Sequence, residues 1–160
     1  MAHADTTVEV QVACSDPGIP DKRQMTAWVA AAIAAAEHPH AAGVEVSVLV
    51  VDADEIRKLN ERYRQQDKPT NVLSFPAELP AAPAGQPAPL GDVVICAPIV
   101  RSEAEQQGKA LQSHWAHMLV HGTLHLLGYD HVQDADADRM EDLEASILAA
   151  HGIANPYASQ

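Results

Sequence analysis

Histidines are concentrated in one short stretch of this chain, at a spacing that could bind a metal ion. Five of the nine histidines fall within residues 114–131. At about 100° per residue, four of them project within a helical stripe of about 80°, and these are His114, His117, His121 and His125. Two imidazoles at positions i and i+4 can converge on one divalent ion. The stretch therefore predicts a metal-binding helix.

A third ligand must come from beyond the end of that helix. His131 follows His125 by six residues, and a continuous helix would turn it to the opposite side. Gly128 can adopt the left-handed conformation that ends a helix and turns the chain back. The spacing therefore favours His121, His125 and His131 around one ion, with a fourth position open for water. That arrangement is typical of catalytic rather than structural zinc.

The spacing alone leaves alternatives open. His117 and His121 are also an i,i+4 pair, so the site could lie one turn earlier, and the histidines could instead be polar residues of the core. Asp130 could orient an imidazole or act as a base for water at the metal, or it could be an ordinary turn residue. Zinc proteases of the HExxH type carry a glutamate after the first histidine. Gly122 holds that position here, which weakens a metallopeptidase interpretation.

Alternating strands and helices must position this stretch. Period-two patterns predict strands at residues 7–13, 44–51, 71–75 and 91–96. Helices are predicted at 21–37, from a cap at Asp52 or Asp54 to about 63, and at 98–107, 109–127 and 134–150. Dense prolines predict a surface loop over 77–90. We expect one domain over residues 1–160, of the α+β class. It would have a small mixed sheet of about four strands, about five helices, and the metal site at the end of a long helix.

Composition narrows the class of protein. The chain has 160 residues, 47% of them hydrophobic, and a net charge of −12. Such a chain folds, and its acidity argues against a basic DNA-binding module. Two cysteines cannot form a disulfide framework, which favours a reducing compartment. No apolar run approaches the roughly 20 residues of a membrane span, and the N-terminus has no signal-peptide pattern. We expect a soluble cytoplasmic protein without a membrane or DNA partner.

The charge is unevenly distributed along the chain. Residues 130–144 contain seven acids and one arginine, giving −6, whereas residues 57–68 contain five bases and two acids, giving +3. The basic segment could be an ordinary solvated helix face. A sharper hypothesis is that Arg57, Lys58 and Arg64 flank the metal cleft and receive a phosphate backbone.

Several short segments together resemble one known family. The most specific is HGTLHLLGYDH at residues 121–131. The others are LN at 59–60, YR at 63–64, DKPTNVLSFP at 67–76, GDVVIC at 91–96, EA at 103–104, HWAHMLVHG at 114–122, and Met140 followed by Glu141 and Glu144. Over roughly residues 59–144 the chain resembles the YbeY endoribonucleases, also called rRNA maturation factors.

The resemblance implies a single-strand-specific, metal-dependent endoribonuclease of 16S rRNA 3′-end maturation and late-stage 70S ribosome quality control. It implies one zinc ion on His121, His125 and His131, with Arg64 as a functional residue. The implied partners are single-stranded rRNA, the small ribosomal subunit, a small-subunit ribosomal protein and a ribosome-assembly GTPase. Zinc on three histidines can activate water, other first-row divalent metals also fit such a set, and the arginine fork suits phosphate. A metallopeptidase-like hydrolase and a non-catalytic assembly factor with a structural metal remain as alternatives.

Overall fold

The computed structural model describes residues 6–36, 43–77, 87–129 and 134–157. Within these ranges, four strands and five helices follow one another along the chain. The strands are β1 (Thr6–Val12), β2 (Val44–Val51), β3 (Val72–Pro76) and β4 (Ala88–Cys96). The helices are α1 (Lys22–Ala35), α2 (Ala53–Arg64), α3 (Ala97–Gln107), α4 (Leu111–Leu126) and α5 (Asp134–Ala150).

The strands form one mixed sheet in the order β1-β2-β4-β3. β1, β2 and β4 run parallel, and β3 pairs antiparallel with β4. The β-branched valines of β2 favour a pleated strand, and those that alternate along one of its faces are fully buried. The described residues thus form a single small α+β domain, and the predicted fold class is confirmed.

Helices cover both faces of this sheet. The larger core combines the inward valines of β2 with Trp28 of α1, Trp115 of α4 and Leu148 of α5. A smaller cluster on the other face packs Ile56 of α2 against Leu73 of β3 and neighbouring residues of β2 and β4. The start of α2 is fixed by Asp52, whose side chain accepts the backbone N–H of Glu55. α2 and β3 therefore lie beside each other at one end of the sheet.

The histidine-bearing helix α4 is held by packing, since no side chain caps its N-terminus. Most of its residues are buried, including Trp115. Ser74 of β3 donates a hydrogen bond of 2.8 Å from its Oγ to the Gly122 carbonyl and so fixes α4 against the sheet. Past the helix end, Gly128 has a φ of 97°, which is the left-handed turn that the sequence predicted.

One local expectation was wrong. Residues 88–90 belong to β4 rather than to a loop, because Pro89 lies next to a bulge opposite Glu45 and Val46, where a strand tolerates a missing N–H. Residues 78–86 of the predicted loop lie outside the described residues.

None of the described helices has the length and the apolar character needed to cross a membrane.

Candidate metal centre

Four imidazoles form a continuous row along α4. The ring centroids of His114 and His117 are 6.2 Å apart, those of His117 and His121 are 6.2 Å apart, and those of His121 and His125 are 4.6 Å apart. The single helical stripe expected from the spacing is therefore present. The last pair is the tightest, and it lies at the end of the helix where the chain turns at Gly128.

The geometry of His121 and His125 fits a shared metal ion. Their Nε2 atoms are 3.1 Å apart. Two nitrogens bound to one tetrahedral zinc ion at its usual bond length lie about 3.3 Å from each other. Both imidazoles are half-buried, so an ion could reach them from the cavity that they line.

Glu144 of α5 holds the other side of the His121 ring. Its carboxylate is fully buried, and Oε1 lies 2.5 Å from His121 Nδ1. Burial by itself raises the pKa of Glu144, but hydrogen bonds from His117, His121 and Tyr157 outweigh it and lower that pKa to about 2. An ionised carboxylate only accepts hydrogen bonds, so Nδ1 of His121 donates and its Nε2 lone pair turns toward His125. Carboxylate–histidine pairs of this kind orient the ligands of metal ions.

A second grouping of possible ligands lies one turn earlier. Atoms of His117, His121 and Glu144 lie within 4.8 Å of one another and could hold a metal ion. Tyr157 contacts two of these residues: its hydroxyl donates to Glu144 Oε2 at 2.5 Å and lies 3.0 Å from His117 Nε2. Burial, and then the carboxylate of Glu144, raise the pKa of the Tyr157 hydroxyl, which keeps its proton. Hydrogen bonds therefore already engage the atoms of this second grouping.

Of the three predicted ligands, the structure brings together His121 and His125. His131 and the predicted base Asp130 lie outside the described residues. Sequence reasoning assigned no role to Glu144, although a signal was present. Glu144 lies on the apolar stripe of α5 between Met140 and Ile147, and a buried carboxylate on such a stripe requires a partner.

Arg64 lines the same cavity as the two histidines. The cavity has a volume of about 510 Å³, and its lining includes Arg64 and Asn60 from α2, Ser74 from β3, and His121 and His125 from α4. The Arg64 guanidinium donates a hydrogen bond of 3.0 Å to the Ser74 carbonyl, which directs it along this wall. Among the described lining residues none is acidic, so the cavity presents one permanent positive charge together with the two imidazoles.

The other basic residues expected beside the cleft lie elsewhere. Arg57 forms ion pairs with Asp54 at 3.1 Å and Asp67 at 2.7 Å, and Lys58 pairs with Asp54 at 3.2 Å. Neither base is among the described residues that line the cavity. Of the three bases, Arg64 therefore lines the same cavity as the two histidines, whereas Arg57 and Lys58 do not line it and pair with nearby acids instead. Phosphate binding by Arg64 stays a prediction.

His114 belongs to a separate network behind the cavity. Its Nε2 lies 2.9 Å from Glu103 Oε1, and both oxygens of Glu103 accept from Asn71 Nδ2 at 3.2 Å. Asn71 is itself a lining residue of the cavity and accepts the Val72 N–H through its Oδ1. Burial lowers the pKa of His114, against the effect of Glu103. This network fixes the entry of β3, and hence one wall of the cavity.

Gly122 shows why a protease-type glutamate is absent. A Cβ atom at this position would lie 3.0 Å from Val93 Cγ1, 3.1 Å from Val72 Cγ2 and 3.2 Å from Ser74 Oγ. Position 122 thus faces the sheet, on the side of α4 away from any ligand. A glutamate there would have neither space nor access to an ion between His121 and His125.

Comparison with known proteins agrees with these features. The family model described as Endoribonuclease YbeY matches residues 10–152. The fold is similar to the solution structure of TM1509 from Thermotoga maritima, with a TM-score of 0.54 and 21% identity. That similarity covers 96% of this chain and 100% of the other. The family carries an endoribonuclease role in rRNA processing, with RNA as the substrate. The match extends over nearly the whole chain, and the chain therefore belongs to the YbeY endoribonuclease family.

Proposed function

We propose that this chain is a metal-dependent, single-strand-specific endoribonuclease that acts in 16S rRNA 3′-end maturation and late-stage 70S ribosome quality control. One zinc ion is held by His121, His125 and His131. The observation that carries this proposal is the pair of Nε2 atoms 3.1 Å apart at a cavity that Arg64 also lines. Three imidazoles leave one coordination position open, as catalytic zinc requires.

Hydrogen-bond direction favours this ligand set over the one that includes His117 and Glu144. Glu144 accepts bonds on both of its carboxylate oxygens, from His121 and from Tyr157. A metal ion bound between His117, His121 and Glu144 would have to replace these contacts to the buried carboxylate. An ion at His121 and His125 would leave them in place, with the His121 ring already oriented by Glu144.

The residues around the cavity divide the work of phosphodiester hydrolysis. A zinc ion bound there supplies a Lewis acid and a lowered pKa for water. Arg64 binds the scissile phosphate and stabilises charge that develops on its oxygens. Glu144 keeps His121 in the ligating tautomer. Asp130, placed between the turn at Gly128 and His131, accepts the proton of the attacking water.

The resemblance to the family supplies the proposed partners, and the charge of the cleft gives a physical reason why the enzyme would need them. One arginine in a chain of net charge −12 gives little affinity for free RNA. We propose that the small ribosomal subunit, with a small-subunit ribosomal protein and a ribosome-assembly GTPase, presents the single-stranded rRNA to the enzyme. The protein would therefore work in the cytoplasm.

A cleavage assay with matched variants tests the proposed function. The substrate is a 3′-extended small-subunit rRNA fragment, and the variants are His125→Ala and Arg64→Ala. His151→Ala and Arg62→Ala are the controls, because both residues are exposed and lie outside the described cavity lining. We expect the first two variants to lose cleavage and the controls to retain it.

Chelation separates catalysis from a structural role of the metal. We expect a chelator to stop cleavage while the circular dichroism spectrum stays unchanged. Unfolding on chelation would instead identify the non-catalytic assembly factor with a structural metal. Equal cleavage by wild type, His125→Ala and Arg64→Ala would refute the catalytic assignment.

A further inference from the structure

Tyr157 contacts the candidate metal centre, yet neither the sequence motifs nor the family match includes it. It follows α5 and lies beyond residues 10–152, which the family model matches. Its ring packs edge-on against His117, with centroids 5.3 Å apart and planes at 88°. Its hydroxyl lies at the junction of His117 and the buried carboxylate of Glu144.

Only one assignment of protons satisfies the hydrogen bonds at this junction. Glu144 is an acceptor only, so the Tyr157 hydroxyl gives its single proton to Oε2 at 2.5 Å. The Tyr157 oxygen can then only accept from His117, so Nε2 of His117, at 3.0 Å, carries a proton. The other oxygen of Glu144 accepts from Nδ1 of His121. Both arms of this chain therefore donate toward Glu144: His117 through Tyr157 to Oε2, and His121 directly to Oε1.

This assignment of protons has two consequences for metal binding. It occupies Nε2 of His117 with a proton, which removes that atom from the set of available ligands. It also anchors Oε2 of Glu144, so that Oε1 stays directed at His121. A carboxylate held at both oxygens has little freedom to rotate away from the imidazole that it orients.

We propose that Tyr157 is a positioning residue of the metal centre: through Glu144 it holds His121 in the tautomer with Nδ1 protonated and Nε2 directed toward His125. The proposal rests on the proposed function, because it takes His121 and His125 as ligands. Tyr157 does not contact the ion or the RNA in this account.

A second cavity, from which water can reach Glu144, limits the expected effect of losing the Tyr157 hydroxyl. It has a volume of about 300 Å³, and His121, Met140, Glu144 and Tyr157 are among its lining residues. Without the Tyr157 hydroxyl, water from this cavity can hydrogen-bond to Glu144, but without a fixed direction. Loss of the group that orients a metal ligand typically costs 10- to 100-fold in affinity. Because water partly replaces the hydroxyl, we expect a loss of about tenfold.

The test compares Tyr157→Phe with Tyr63→Phe. The first change removes the hydroxyl and keeps the ring against His117, and the second removes a hydroxyl from an exposed tyrosine on α2. Zinc affinity is measured by competition with a chromogenic chelator. The tautomer of His121 is read from imidazole 15N chemical shifts of the metal-free protein at mildly alkaline pH. Thermal unfolding verifies that both variants are folded.

We expect Tyr157→Phe to bind zinc about tenfold more weakly and to show a mixture of His121 tautomers, while Tyr63→Phe matches the wild type. Unchanged affinity, or an unchanged His121 tautomer, in Tyr157→Phe would overturn the positioning role. His125→Ala distinguishes the two claims. If it bound zinc as tightly as the wild type, the proposed metal centre would be wrong, and the His121 tautomer would still decide whether Tyr157 orients that ring.

Discussion

Replacement of Glu103 by alanine should destabilise the fold although Glu103 lies outside the metal centre. Its carboxylate accepts from Nε2 of His114 at 2.9 Å and from Nδ2 of Asn71 at 3.2 Å. The side chain of His114 is 3% exposed, so its nitrogens have little access to water in the folded protein. The other ring nitrogen, Nδ1, has no hydrogen-bond partner in the described parts of the chain. Glu103→Ala would therefore leave a buried imidazole with neither nitrogen satisfied.

The size of the effect follows from these two contacts. A hydrogen bond to a charged acceptor contributes about 1.5–3 kcal/mol. We assign about 2 kcal/mol to the short, buried bond from His114 and about 1 kcal/mol to the longer bond from Asn71, because Glu103 is 28% exposed. The better helix propensity of alanine returns a few tenths of a kcal/mol. The expected loss is about 3 kcal/mol, or about 6–12 °C in Tm for a domain of this size.

Urea and thermal unfolding followed by circular dichroism measure this loss. Glu105→Ala is the matched control, since Glu105 is on the same helix, is 71% exposed and makes one ion pair of 3.7 Å with Arg101. The control should change the free energy of unfolding by less than about 0.5 kcal/mol. If Glu103→Ala is no less stable than Glu105→Ala, the network does not fix β3 as we have argued.

Three further predictions concern the cavity and its surroundings. Arg64→Ala should lower kcat/KM on single-stranded rRNA about 10- to 100-fold. The control Arg62→Ala, two residues away, should keep kcat/KM within about twofold of the wild type. Equal losses in the two variants would indicate a general charge effect. Zinc at about 100 times its Kd should raise the free energy of unfolding by about 2.7 kcal/mol. His125→Ala should abolish that rise, as measured by thermal shift. A rise that persists in this variant would place the ion elsewhere. Burial lowers the pKa of His114 from 6.5, so the unfolded chain binds more protons there and stability falls as pH drops below that value. His114→Gln should flatten this decline in unfolding experiments from about pH 7 to about pH 5, and an unchanged slope would show that His114 is not its source.

Local patterns were enough to predict most elements and the histidine row. The period-two valines of β2 and the acidic cap of α2 act through nearest neighbours, so both elements were predicted close to their observed bounds. Helical periodicity placed His121 and His125 on one stripe, and Gly128 marked the turn after it. These features depend on backbone geometry over about ten residues or fewer, and such short-range patterns can be read directly from a sequence.

Contacts between distant residues were not predictable in this way. Glu144 contacts His121 only because α5 packs against α4, and no local sequence pattern predicts that packing. Arg57 and Arg64 have the same charge and lie on one helix, yet Asp67 pairs with the first and the second faces the cavity. Which charge is neutralised depends on how the chain turns after α2, and that is a tertiary property.

Titration of zinc into metal-free protein tests the central claim most directly. Cleavage of a single-stranded 3′-extended rRNA fragment and the circular dichroism spectrum are followed in the same samples. If His121, His125 and His131 hold a catalytic ion, activity rises from background to a plateau at one zinc per chain, and the spectrum does not change. Full cleavage by the metal-free protein, or folding that appears only as zinc is added, would contradict the account.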